Sequence, residues 1–102
     1  MSAGITMKIQ HIQGEILLAA ADSDLVNREI REGKLHLKIA PEFYGETKVS
    51  DETFLSSMGL CTIANLVGKN VVDLAIRNSY VDRENIIYID RVPHAQFAKL
   101  IE

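Results

Sequence analysis

The sequence predicts a small α+β domain, a mainly antiparallel sheet of about four to six strands packed against about three helices. Three observations lead there. Apolar residues alternate with polar ones at residues 5–10 and 34–39, the period of a half-buried strand. At residues 50–61 and 70–80, apolar side chains instead recur at helical spacing behind residues that cap helices. Finally, 102 residues with 47% hydrophobic and 25% charged side chains match the size and composition of one folded core.

In chain order, Ile5, Met7 and Ile9 alternate with Thr6, Lys8 and Gln10, and Gln13-Gly14 offers a turn before a second apolar run at residues 15–20. An N-terminal hairpin is expected. Asp22 or Ser23 can cap a short helix over residues 23–32, where Leu25, Val26 and Ile30 recur at helical spacing and Gly33 ends the pattern. Residues 34–39 give the clearest alternation, with Leu35, Leu37 and Ile39 on one face and Lys34, His36 and Lys38 on a wet one. Pro41 stops this strand, and Phe43-Tyr44-Gly45 leads to a short extended piece at residues 47–49.

Ser50 ahead of Asp51 and Glu52 marks a helix start, with Phe54, Leu55, Met58 and Cys61 facing inward. Residues 60–67 are apolar nearly all round, which reads as a centrally buried helix ended by Gly68. Asn70 then caps a third helix carrying Val72, Ala75, Ile76 and Tyr80 on one face, with Asp73 placed as in a capping box. Residues 86–89 read as a buried strand, and residues 92–101 fit either a last strand or a terminal helix. Residues 1–6 read as a short leader and residues 7–102 as a single α+β domain.

A formal net charge of -3 argues against gripping nucleic acid by bulk electrostatics, which needs clustered Lys and Arg, but leaves room for a local basic patch. Cys61 is the sole cysteine, so an intrachain disulfide framework and a cysteine-rich zinc site are excluded. That usage fits a reducing compartment, and cytoplasm is the expected location. No secretory signal opens the chain, and the longest apolar run is less than half of the ~20 residues a membrane helix needs, so no membrane association is expected. Neither a phosphate-cradling glycine loop nor a nucleophile elbow nor a metal-binding histidine pair is present, and no cofactor, metal or catalytic set is expected.

The places where chemistry could reside are few. Lys34, His36 and Lys38, with Lys8 and Gln10 from a neighbouring strand, form a basic face able to meet phosphates, although it lacks the aromatic rings that stack bases and also reads as the solvated side of a sheet. Thr62 and Asn65 are polar residues in the most apolar segment, so each needs an internal partner or, for Asn65, a pocket beside Gly68. His94 follows Pro93 and precedes Gln96, so a stiff backbone aims an imidazole and an amide at one region. Cys61 reads as a core residue.

Phe43-Tyr44-Gly45, Thr62-Ile63-Ala64-Asn65-Leu66-Val67-Gly68, Ile87-Tyr88-Ile89 and Val92-Pro93-His94-Ala95-Gln96 occur in an order that resembles the small archaeal family called domain of unknown function 424. The likeness runs from about Met7 to Leu100. It implies an archaeal cytoplasmic protein with a compact α+β fold, and singles out Tyr44, Gly45, Asn65, Gly68, His94 and Gln96 as the motif positions. The leading functional expectation is a non-catalytic binding module for RNA or a translation-related complex. The alternatives are a small-molecule binder or small enzyme using His94 with Asn65, Tyr44 and Gln96, and a homo-oligomer formed through an exposed strand at residues 92–101.

Overall fold

A computed structural model describes residues 4–99. Its chain order is β1 (Ile5–Ile12), β2 (Glu15–Asp22), a 3-10 turn (Ser23–Leu25), β3 (Glu29–Glu32), β4 (Leu35–Lys38), α1 (Pro41–Tyr44), β5 (Lys48–Val49) and α2 (Asp51–Leu60). Then come β6 (Ile63–Val67), α3 (Lys69–Arg77), a second 3-10 turn (Arg83–Asn85), β7 (Ile87–Ile89) and β8 (Val92–Ala98). Six strands form one sheet in the order β5-β1-β2-β6-β8-β7, while β3 and β4 pair separately. Within the large sheet the β2–β6 contact is parallel and the others are antiparallel. The α+β class is therefore correct.

Each face of the sheet has its own cover. On one side Leu18, Ala20, Ala64, Leu66 and Ala95 meet Phe54 and Met58 of α2 and Val71 and Ala75 of α3 in one buried cluster. On the other, Ala19, Ala21, Val67 and Ile89 meet Leu25, Ile30, Ile39 and Tyr44, which the β3–β4 hairpin and α1 bring over the sheet. Two layers of apolar burial on opposite sides of β2 and β6 make these central strands the backbone of the core.

That placement corrects the reading of residues 60–67 as a helix. Leu60 ends α2, and residues 63–67 are a strand between β2 and β8. Ala64 and Leu66 are buried on one face and Val67 on the other, so apolar residues fall at odd and even positions alike and the sequence is nearly as uniformly apolar as that of a buried helix. Residues 23–32 are not a helix either: a 3-10 turn holds Leu25, and β3 then pairs with β4. Leu25 and Ile30 are both buried, but from separate elements, so their helical spacing was coincidental. The alternation of β4 is real, yet Leu35 at its tip is 50% exposed because nothing covers the hairpin end.

Ser50 caps α2 as expected, its Oγ accepting the Thr53 N–H at 3.0 Å. At the other end of that helix, Lys99 reaches across and donates its Nζ to the carbonyl of Met58 at 2.9 Å. Asn70 does not cap α3, because Gly68 holds that position and Asn70 is already helical. Tyr80 lies beyond the helix, which ends at Arg77. β7 is an edge strand, with Ile87 and Tyr88 more than half exposed instead of buried. Residues 92–98 are a strand, which removes the helical alternative for the described part of that segment; residues 100–101 lie outside the described residues. β1 takes in Ile5 and Thr6 of the expected leader, and residues 1–3 lie outside the described residues.

Candidate functional site

Strand register brings the late motif residues together. Asn65 of β6 stands directly opposite Gln96 of β8, and Val67 directly opposite His94. Residues two apart on a strand share a face, so Asn65, His94 and Gln96 all project from the side of the sheet that carries the β3–β4 hairpin. The hairpin covers only part of it. One line across the sheet, Thr6, Ala21, Val67, His94 and Ile87, passes through the covered cluster at Ala21 and Val67. The next, Lys8, Ala19, Asn65 and Gln96, forms its margin, and a third, Gln10, Leu17, Ile63 and Ala98, is open. Ile63, Asn65, Gln96 and Ala98 line a shallow cleft of about 280 Å³ there.

Three polar side chains at this margin are left out of the hydrogen bonding among the described residues. Asn65, His94 and Gln96 make no side-chain hydrogen bond to any described residue, and none of their nitrogen or oxygen atoms is sealed from solvent. His94 is half-buried between Val67 and Ile87, and burial pushes its imidazole below the ordinary histidine value, which favours the neutral ring. A neutral imidazole both donates and accepts, as does each amide. Lys8, in the same line, is already engaged, donating its Nζ to the Glu42 carbonyl at 2.6 Å.

The other motif positions serve packing. Tyr44 is 3% exposed, lies edge-on to Phe43 with ring centroids 4.9 Å apart, and accepts the Thr6 hydroxyl at its carbonyl at 3.0 Å. Desolvation raises its phenol pKa. Gly45 lets the end of α1 lie on β1, since a Cβ there would stand 2.5 Å from the Met7 carbonyl oxygen. Gly68 does the same for Asp22, whose carboxylate would collide with an added Cβ. Thr62 is internally bonded, its Oγ1 accepting the Ile16 N–H at 2.8 Å, as its place in an apolar segment requires.

The basic strand face is a different surface. Lys34 lies in the β3–β4 turn, and His36 and Lys38 lie on β4, all exposed. Glu29, directly opposite Lys38, sets its carboxylate 3.1 Å from His36 and 3.3 Å from Arg31. The His36 hydrogen bond, followed by that of Arg31, lowers the Glu29 pKa, so an anion sits within the cationic face. Lys8 and Gln10 belong to the large sheet and do not extend it.

Sequence reasoning passed over Leu17, Ile63 and Ala98, which supply the apolar part of the open face, because residues 60–67 read as a helix. The neighbours of Asn65 on both sides are apolar, so no alternation in this segment could have found them. Asp22 was seen only as a cap for a helix that does not form. Among the described residues no group of three or more His, Cys, Asp or Glu side chains is placed to hold a metal ion, and no helix is long and apolar enough to cross a membrane.

The class defined is a small α+β module with helices on one side of a mixed sheet, a hairpin on part of the other, and an uncovered polar margin beside it. The model of a family described as protein of unknown function (DUF424) matches residues 10–100, and the chain belongs to that family. No match is found among curated proteins. The crystal structure of an uncharacterized conserved protein from Methanopyrus kandleri is similar, with a TM-score of 0.79 over 96% of this chain and 95% of that one, at 16% identity. At that identity the likeness establishes a shared fold.

Proposed function

We propose that the protein is a non-catalytic binding module that engages a macromolecular partner through the open sheet face centred on Asn65, His94 and Gln96. One observation carries this reading: three side chains with hydrogen-bonding groups share one face, and none of them hydrogen-bonds to another described residue. Apolar Leu17, Ile63 and Ala98 beside them offer contact area. The ionisable groups in these lines are His94 and the engaged Lys8, which equips the face to recognise rather than to transform. The test is chemical-shift mapping of isotope-labelled protein against a pool of random short peptides and against random single-stranded RNA. Shifts gathered at Asn65, His94 and Gln96 are expected; shifts that avoid this face sink the reading.

RNA contact through the hairpin is a second reading, favoured by the exposed Arg31, Lys34 and Lys38. Filter binding over a salt series tests it. Phosphate contacts make affinity fall steeply with salt, and Lys34→Glu with Lys38→Glu then removes binding. Binding that ignores both changes ends this second reading.

A further inference from the structure

We propose that the free edge of β8 at Gln96 and Ala98 accepts an extended peptide segment of a partner protein as an added strand, which gives the open face its ligand class and rests on the binding-module reading above. The register fixes which backbone groups are free. Gly68 donates its N–H to the Pro93 carbonyl at 2.9 Å and Lys99 donates its N–H to the Thr62 carbonyl at 2.7 Å. In an antiparallel ladder such groups alternate sides, so residues 93, 95, 97 and 99 turn their backbone groups toward β6 and residues 94, 96 and 98 turn theirs away. His94 meets Ile87 of β7. β7 goes no further, because the chain leaves the ladder for the 3-10 turn Arg83–Asn85. The N–H and C=O of Gln96 and of Ala98 consequently have no strand partner among the described residues.

Two regularly spaced donor and acceptor pairs in line with an existing strand match the backbone of an extended peptide, the ligand of strand addition. The place beside them is shaped as well. Ala95, Gln96 and Phe97 form one wall of a cleft of about 150 Å³, and Ser79, Tyr80, Val81 and Asn85 form the other. An incoming strand continues the line of β7, about 4.8 Å from β8, and sets one side chain into this cleft. Its neighbouring side chains fall on the Asn65–Gln96 face. Unprotected edges are usually blunted by Lys, Pro or a bulge. β8 carries Pro93 only where β7 already pairs, and the ammonium of Lys99 is committed to Met58 and Gly59.

Backbone amide hydrogen exchange tests this, with a capped peptide of alternating Thr and Val as the probe. The Gln96 and Ala98 amides are expected to exchange freely in the free protein and to slow about tenfold or more with millimolar peptide, while Ala95 and Phe97 are protected throughout. Ala98→Pro removes only the outward N–H, and is expected to abolish the effect while circular dichroism confirms the fold. Unchanged exchange with peptide overturns the proposal. So does slowing that appears with protein concentration alone, which assigns the edge to a second copy, or slowing produced by single-stranded RNA instead. The Asn65 and Gln96 side-chain amide signals separate the two readings: if they shift while the backbone amides do not, the face binds and the edge does not.

Discussion

Asp22, the last residue of β2, accepts the N–H of Val71, in the first turn of α3, at 2.9 Å, and its second oxygen accepts the N–H of Asn70 at 3.0 Å. One carboxylate thus satisfies helix donors that have no partner within the helix and ties α3 to the sheet. Asp22→Ala is expected to cost roughly 1 to 3 kcal/mol, because it leaves two donors without an acceptor. Asp22→Asn keeps one acceptor oxygen and is expected to fall between. Urea denaturation checks both. Burial is the first cause of a raised Asp22 pKa, ahead of the lowering backbone hydrogen bonds. The native state then holds this proton more tightly than the unfolded chain, so the stability this titration contributes is present at acid pH and lost as pH rises through the raised value. Asp22→Asn is expected to flatten that part of the stability profile.

Gly68 and Asp22 are one unit. Gly68 has φ 117, where side chains are strained, and an added Cβ collides with the carboxylate. Gly68→Ala is expected to destabilise by about 1 to 3 kcal/mol. In an Asp22→Ala background the collision is gone and only the backbone strain remains, so the two costs are expected to sum to more than the double variant loses. A double-mutant cycle on urea midpoints measures this. Strict additivity would mean that the carboxylate gives way without cost.

Much of this architecture was legible locally. Gln13-Gly14 between two apolar runs announced the β1–β2 hairpin, and Ser50 announced α2, because turns and caps are written within a few residues. β6 was not legible, since Ala64 and Leu66 are buried against the helices and Val67 against the hairpin, and burial on both faces erases the alternation that marks a strand. The candidate site inherited that loss. His94 and Gln96 share a face only if residues 92–98 are a strand, and their neighbour Asn65 arrives through pairing distant in sequence. Motif resemblance selected the positions, but only register separates the outward Asn65, His94 and Gln96 from Tyr44, Gly45 and Gly68, which pack.

His94 gives a pH prediction independent of ligand. Desolvation lowers its folded pKa, so the unfolded chain takes up the proton first as pH falls. The native state is then expected to lose stability as pH drops from the ordinary histidine range through the lowered value. An NMR titration of the His94 ring is expected to show a midpoint below 6.5. His94→Phe is expected to remove the corresponding loss. A midpoint above 6.5 would mean that a charged partner stabilises the imidazolium.

Three polar residues of β6, its entry and its partner β8 are expected to behave in opposite ways. Thr62 holds the Ile16 N–H at 2.8 Å, so Thr62→Val is expected to cost roughly 1 to 3 kcal/mol by leaving that donor without an acceptor. The Asn65 and Gln96 side chains make no hydrogen bond among the described residues. Asn65→Leu and Gln96→Leu are therefore expected to stay within about 0.5 kcal/mol of the parent, since no donor or acceptor loses a partner. Urea midpoints at unchanged slope compare the three. An Asn65→Leu cost as large as that of Thr62→Val would make the Asn65 amide part of the fold, and the face would lose the group that most directly marks it for a ligand.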